Sequence, residues 1–126
     1  MKKIMFLLCG LLLLCSGCFS LQPVPSIDNV PITVVKAGRN TSEVIRTAAA
    51  RKGWATSESQ PGTVRCTLIV RTHKVVVDIP YTKNSFSIHY VDSVDMEYDK
   101  QGKMINRKYI QWVRNLEKQI MLEAAL

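Results

Sequence analysis

The clearest pattern in the chain is an alternation of apolar and polar side chains between residues 64 and 90. A period of two is typical of strands that have one buried face and one solvated face. Short turn-like segments divide the pattern into three runs, so it predicts three consecutive antiparallel strands. The apolar positions of these runs are Val64, Cys66, Leu68 and Val70, then Val75, Val77, Ile79 and Tyr81, then Phe86, Ile88 and Tyr90.

Two other segments show helical spacing instead. In the first, Asn40 is suited to cap a helix, Glu43 lies three residues further on, and Gly53 is suited to end it. In the second, apolar residues recur every three or four positions, which predicts a helix with one apolar face. These residues are Ile105, Tyr109, Trp112, Val113, Leu116 and Ile120.

Shorter strand-like runs at 32–35 and 54–59 complete the prediction for the folded part. We therefore predict an α+β fold, with a single antiparallel sheet, or β-meander. One N-terminal and one C-terminal amphipathic helix would pack on one face of that sheet. Between the last strand and the second helix, residues 92–102 are polar and predict a loop.

The first 17 residues have the pattern of a secretory leader. Lys2 and Lys3 precede an apolar run at positions 4–14. A membrane-spanning helix needs about 20 apolar residues, so this run predicts a cleaved signal peptide.

The leader ends in a sequence typical of a bacterial lipoprotein signal. Ser16 and Gly17 stand directly before Cys18, which predicts that Cys18 is lipidated and becomes the first residue of the mature protein. Cys15 departs from the pattern, because leucine is usual three residues before the lipidated cysteine. A plain secreted protein, cut before Phe19, is the alternative.

These observations predict three regions: a signal peptide at 1–17, a lipidated tether at 18–30 and a globular domain at 31–126. The prolines at positions 23 and 25 favour extended backbone, so the tether would hold the domain away from the bilayer. Phe19 follows the lipidated cysteine, which favours an outer-membrane destination in enteric-type sorting. The domain would then face the periplasm.

Charge and cysteine content narrow the function classes. The chain has 17 basic and 10 acidic residues. Removing Lys2 and Lys3 with the leader leaves 15 basic and 10 acidic residues, which gives the predicted mature chain a net charge of +5. Export makes nucleic acid an unsuitable partner. Cys66 would be the one cysteine left unmodified in the mature domain, so no internal disulfide is predicted, and its place in an alternating run predicts a buried, structural role.

The candidate catalytic and metal-binding groups are few. His73 and His89 have no ligand spacing, so no metal site and no cofactor are predicted. Ser87 and His89 share a strand face, with Asp78 on the adjacent strand, but three polar groups are commoner on a solvated face than in a triad. The acidic residues of the 92–102 segment fit a solvated loop.

The central strands offer a candidate binding surface for peptide, glycan or another envelope protein. The alternative interpretation of the same residues is an ordinary solvent-exposed face of the sheet, with no binding function. The surface would consist of Arg71, His73, Tyr81, Ser87 and His89.

Taken in order, several segments resemble a family of small proteobacterial lipoproteins of uncharacterised activity. They are the run from Arg71 to Tyr81 with its R-x-H and V-x-I-P-Y parts, the run S-F-S-I-H-Y at 85–90, and the run Y-I-Q-W-V-R-N-L at 109–116. The resemblance implies a compact envelope lipoprotein and implies no activity.

The sequence therefore predicts a membrane-anchored bacterial envelope lipoprotein that is a non-catalytic binding or structural module. Its partners would be the lipid bilayer, through acylated Cys18, and another envelope protein or peptidoglycan. The alternative is a small envelope hydrolase that uses Ser87 and His89.

Overall fold

The computed structural model describes residues 20–126, and the predicted signal peptide and Cys18 lie outside this range. The described chain forms two helices, α1 (Thr41–Arg51) and α2 (Arg107–Ala124). Its strands are β1 (Leu21–Pro23), β2 (Ile27–Pro31), β3 (Ala55–Gln60), β4 (Thr63–Val70), β5 (His73–Pro80), β6 (Ser85–Val94) and β7 (Met104–Asn106).

The strands form a five-stranded sheet in the order β2-β6-β5-β4-β3 and a two-stranded sheet of β1 and β7. Strands β3 to β6 pair consecutively and antiparallel, and the alternation predicted the three from β4 to β6. The α+β class is therefore confirmed. The prediction of a single sheet is wrong, because the chain on either side of the meander adds β2 to its edge and builds a separate ladder from β1 and β7.

One apolar core lies between the five-stranded sheet and the helices. The inward side chains of β4, β5 and β6 are the alternating apolar residues, and Val64, Cys66, Val77 and Phe86 are all buried. The helices contribute Val44, Ile45, Tyr109, Val113, Leu116 and Ile120 to the same core. Arg65 and Asp78 stand on the opposite face of the sheet.

Both helices begin at an asparagine cap. The Asn40 side chain accepts a hydrogen bond from the Glu43 amide at 2.9 Å, as the sequence predicted. The Asn106 side chain accepts one from the Lys108 amide, also at 2.9 Å. Each cap satisfies a backbone donor that a helix start leaves without a partner. Neither helix within residues 20–126 has the length and apolarity needed to cross a membrane.

Residues 20–31 belong to the folded domain, which corrects the predicted tether at 18–30. β1 pairs with β7, and β2 pairs with β6 at the edge of the larger sheet. Prolines are tolerated on edge strands, where a missing N–H costs no ladder hydrogen bond. Composition alone therefore did not distinguish an edge strand from an extended linker.

Two other boundaries also differ from the sequence prediction. The strand predicted at 32–35 lies earlier in the chain, as β2, and Val35 instead donates its amide to the Ala124 carbonyl at 3.0 Å. β6 runs on to Val94, into the segment predicted as a loop, because a bulge near Val91 keeps it paired with β5.

Replacing Ile27 tests whether the N-terminal segment is structural. Ile27 is 3% exposed and pairs with Ile88. We expect Ile27→Ala to lower the free energy of unfolding by about 2–4 kcal/mol, because it removes buried methyl groups and leaves a cavity. Urea denaturation of the mature chain measures this change.

The matched control is Gln22→Ala, at an exposed position of β1, where we expect a change within about 0.5 kcal/mol. Equal, small effects for both variants would show that this segment is a linker after all.

Candidate functional site

The outer face of the five-stranded sheet carries a row of polar side chains across four strands. Ser57, Arg65, Asp78 and His89 are aligned in register on β3, β4, β5 and β6. Arg65 donates two hydrogen bonds to Asp78, at 2.8 and 2.9 Å. The Asp78 carboxylate is therefore already neutralised by its neighbour across the strands.

Ser87 and His89 hold the edge strand β2 against β6. The register of the pair shifts between Ile27 and Val30, so that two residues of β2, Asp28 and Asn29, form a bulge opposite Ser87 alone. The Ser87 hydroxyl accepts a hydrogen bond from the Asn29 amide at 2.9 Å. His89 Nε2 lies 2.8 Å from Asp28 Oδ1. Both side chains thus fasten the bulge.

This geometry does not assemble a hydrolytic triad from the described residues. Ser87 is 7% exposed, its hydroxyl is engaged by a backbone amide, and it makes no hydrogen bond with His89. Asp78, the acid considered from the sequence, is held by Arg65 instead. A nucleophilic serine needs a base within hydrogen-bond reach and room for a substrate, and Ser87 has neither here.

Arg71 and His73 lie elsewhere, at the β4–β5 turn. Arg71 has a positive φ of 57° in this two-residue turn. His73 belongs to β5, and its ring lies 6.2 Å from that of Trp112, between centroids. His73 Nδ1 also lies 2.6 Å from the Asp95 carbonyl oxygen. These contacts join the turn to the loop after β6 and to α2.

Tyr81 lies at the opposite end of the sheet, so the five candidate surface residues fall in three separate places. Tyr81 lines a cleft of about 580 Å³. We call this space the α1 cleft, and its walls are formed by residues 32–34, 39–42 and 81–84. A concave site with an apolar floor and a few polar groups is the usual form of a ligand site.

Two hydrogen bonds to the β5–β6 turn fix the walls of the α1 cleft. The Ile32 amide donates to the Asn84 carbonyl at 3.0 Å, which joins the segment after β2 to the β5–β6 turn. The Thr41 hydroxyl donates to the Lys83 carbonyl at 2.9 Å, which joins α1 to the same turn. The cleft is therefore built by contacts between distant parts of the chain.

A buried carboxylate supports the remaining wall. Glu123, which is 2% exposed, lies 2.9 Å from both the Arg39 and the Arg51 guanidinium groups. Burial acts to raise the pKa of Glu123, but the hydrogen bond from Arg39 and the charges of Arg51 and Arg39 outweigh it, and the pKa lies below its ordinary value. Glu123 thereby fixes Arg39 at the edge of the cleft.

Cys66 is a structural residue, as its place in the alternation predicted. Its side chain is fully buried, and burial raises the pKa of the thiol to about 12. The thiolate is the reactive form of cysteine, so Cys66 is inert at neutral pH.

The acidic residues after β6 are engaged in local contacts. The Asp95 carboxylate accepts a hydrogen bond from the Thr72 hydroxyl, and Glu97 accepts one from Asn106 at 2.9 Å. Across the part of the chain that the structure describes, no three His, Cys, Asp or Glu side chains are placed to hold a metal ion.

Sequence reasoning identified Tyr81 but not the other walls of the cleft. Asn40 is predicted as a helix cap, and Lys83 lies in one of the turn-like segments that divide the alternating runs. Nothing in the spacing of these residues indicated that the cap and the turn meet, because they lie about forty positions apart.

A scan against protein-family models, a search of curated proteins and a search of solved structures found no match.

Glu123→Gln tests the buried charge that supports the cleft. The neutral amide leaves the Arg39 and Arg51 guanidinium groups without a buried counter-charge, so we expect the free energy of unfolding at pH 7 to fall by about 2–3 kcal/mol. Chemical denaturation at several pH values measures the effect.

The pH dependence gives a second signature. Because folding lowers the pKa of Glu123, its contribution to the free energy of unfolding is complete above the ordinary pKa of 4.5. This contribution is lost as pH falls through the lowered pKa. Glu123→Gln should therefore flatten the acid side of the stability profile. The control is Glu43→Gln, at an exposed position 4.0 Å from Arg39. For this variant we expect the free energy of unfolding to fall by less than about 1 kcal/mol. A similar loss in both variants would contradict a special role for Glu123.

Proposed function

We propose that this protein is a lipid-anchored bacterial envelope lipoprotein whose domain is a non-catalytic binding module, with the α1 cleft as its binding site. Cys18 carries the acyl chains, and the domain faces the periplasm from the outer membrane. The observation that carries the proposal is the position of the chain entry, which lies at the end of the fold opposite the cleft.

The two ends of α2 define this arrangement. At its start, the Arg107 amide donates to the Ser20 carbonyl at 2.8 Å, only two residues from Cys18. At its other end, Glu123 contacts Arg39 beside the cleft. A helix of 18 residues is about 27 Å long, so an anchor at residue 18 leaves the cleft turned away from the bilayer.

The lining of the cleft favours a peptide ligand that carries a carboxylate. Ile32, Val34 and Tyr81 supply apolar and aromatic surface. Lys83 stands at the rim and makes no ion pair within residues 20–126, so its ammonium group is available to an acidic ligand. Peptide stems of peptidoglycan and exposed segments of envelope proteins share this chemistry.

The alternative, a hydrolase using Ser87 and His89, has less support. The contacts of both side chains with the bulge of β2 account for their presence without a reaction. A binding role therefore agrees better with the geometry than a catalytic one does.

Cys18→Ser tests the anchor. We expect the wild-type protein to fractionate with membranes, with an intact mass showing an N-terminal cysteine that carries acyl chains. Two or more chains hold a protein stably at a bilayer, whereas one does so only marginally. The Cys18→Ser protein should appear in the soluble periplasmic fraction or remain unprocessed. An unmodified sulfur at position 18 in the wild-type protein would contradict the proposal.

Lys83→Gln tests the cleft. We expect the mature chain to bind soluble peptidoglycan fragments with intact peptide stems, measured by calorimetry, and Lys83→Gln to weaken binding at least about fivefold through loss of a charge-assisted contact. Lys74→Gln, an exposed lysine on β5, is the matched control and should not change the affinity.

A photo-crosslinking residue at Thr82 distinguishes the two peptide sources in cells. Adducts with peptidoglycan fragments, or adducts with one envelope protein, would each support the α1 cleft as the binding site. These adducts should be absent when the crosslinker stands at Ser57 on the outer sheet face. Equal adducts from both positions, or none from either, would contradict it.

A further inference from the structure

Four exposed cations lie in the segment that contains β7 and the start of α2, which pairs with the N-terminal strand β1. They are Lys100, Lys103, Arg107 and Lys108, and we call them the entry cations. Arg107 is bound through its amide to Ser20, and the Lys103 carbonyl accepts a hydrogen bond from the Val24 amide at 2.9 Å. Arg107 and Lys103 therefore lie beside the N-terminal strand, and Lys100 and Lys108 are close to them in sequence.

No lysine in residues 20–126 forms an ion pair, and Arg107 differs from most arginines of the described chain in also having no carboxylate partner. Five of the seven arginines in residues 20–126 form ion pairs, and these are Arg39, Arg46, Arg51, Arg65 and Arg114. Among the described residues, no entry cation forms one.

The acidic groups closest in sequence are engaged locally. Glu97 accepts a hydrogen bond from Asn106, and Asp99 accepts one from the Gln101 amide at 3.1 Å. The segment from 97 to 108 still carries a net charge of +2, from four basic and two acidic residues. The N-terminus of α2 adds the positive end of its dipole to the same region.

The short connection to Cys18 determines what these charges face. Ser20 is two residues from position 18, which spans at most about 7 Å of extended chain. An anchor at Cys18 therefore keeps Ser20, and Arg107 whose amide contacts it, close to the headgroup layer, within the range over which surface charges act in physiological salt.

We propose that the entry cations form a membrane-docking surface that binds anionic phospholipid headgroups and fixes the orientation of the domain. This inference rests on the proposed anchoring at Cys18. Each Lys or Arg close to an anionic bilayer surface is attracted to it electrostatically, and this attraction strengthens the membrane binding that the acyl chains provide. Docking of this end keeps the α1 cleft directed away from the bilayer.

The end of the larger sheet that borders this region also exposes apolar side chains next to a cation. On its outer face, Ile69 and Val94 are 67% and 53% exposed, and Lys74 stands between them in register. Thr72, in the adjoining turn, bonds to Asp95 in the loop that leads towards β7. Exposed apolar groups next to cations are typical of surfaces that lie at a membrane interface.

The test uses the mature chain from Cys18 with a single acyl chain attached to that thiol by a maleimide reagent. Residues 20–126 form one core closed by their own elements, and Cys66 is buried, so the reagent modifies position 18 alone. One acyl chain binds a bilayer only marginally, which makes any added electrostatic attraction measurable. Because the chain is attached chemically, the result does not depend on lipidation in cells.

Sedimentation with vesicles of phosphatidylcholine, with or without an equal proportion of phosphatidylglycerol, measures the partition coefficient. We expect phosphatidylglycerol to raise it, and Lys103→Gln combined with Lys108→Gln to lower it on anionic vesicles by about tenfold to thirtyfold. High salt should remove the difference. The control combines Lys36→Gln and Lys118→Gln, which make the same change in net charge on exposed lysines away from the entry and should retain the binding.

Equal losses in the two double variants would overturn the proposal, because they would show a response to net charge alone. Absence of any increase on anionic vesicles would overturn it as well. If Lys103→Gln with Lys108→Gln fails to fold by circular dichroism, Lys100→Gln with Arg107→Gln provides the same test. Failure of the anchoring itself is recognised separately, by an unmodified Cys18 in cells.

Discussion

The pairing of residues 21–31 with two strands from distant parts of the chain is the constraint on which the arrangement of this molecule depends. β1 closes a ladder with β7 just before α2, and β2 completes the edge of the larger sheet against β6. Only two residues, Phe19 and Ser20, stand between Cys18 and the start of β1. The pairings make residues 20–31 part of the fold instead of a linker, so that a lipid at Cys18 would keep the domain close to a bilayer.

Glu123 holds the opposite end together by a different kind of interaction. Its carboxylate lies at the end of α2 and contacts Arg39, just before α1, and Arg51, at the end of α1. An isolated buried charge is costly, whereas a buried charge with two guanidinium partners links elements that cannot separate without exposing it. The helices are thus joined by charge at one place and by the apolar core elsewhere. The same contact sets the position of Arg39 beside the cleft.

The sequence predicted those parts of the fold whose signal is local. The period-two runs gave β4, β5 and β6, the asparagine cap gave α1, and the apolar stripe gave α2. β1 was missed and β2 was predicted too late in the chain, because Pro23 and Pro31 are equally typical of extended linkers. Of the candidate surface, Ser87 and His89 were placed on the outer face, but Tyr81 and His73 lie at opposite ends of the sheet. Pairings between residues tens of positions apart, such as Thr41 with Lys83, leave no local pattern from which a site can be read.

Ser87 and His89 show how a motif that resembles catalytic chemistry can serve structure. An exposed edge strand can pair with other chains, and a bulge that twists the edge away is one protection against this. The Ser87 hydroxyl and the His89 ring bind Asn29 and Asp28 and so fix such a bulge. With the sheet face occupied in this way, the α1 cleft is the better candidate for binding. The length of α2 sets the distance between the cleft and Ser20. Under the proposed anchoring, the cleft therefore lies at a fixed distance from the bilayer, and its ligand must be present at that distance.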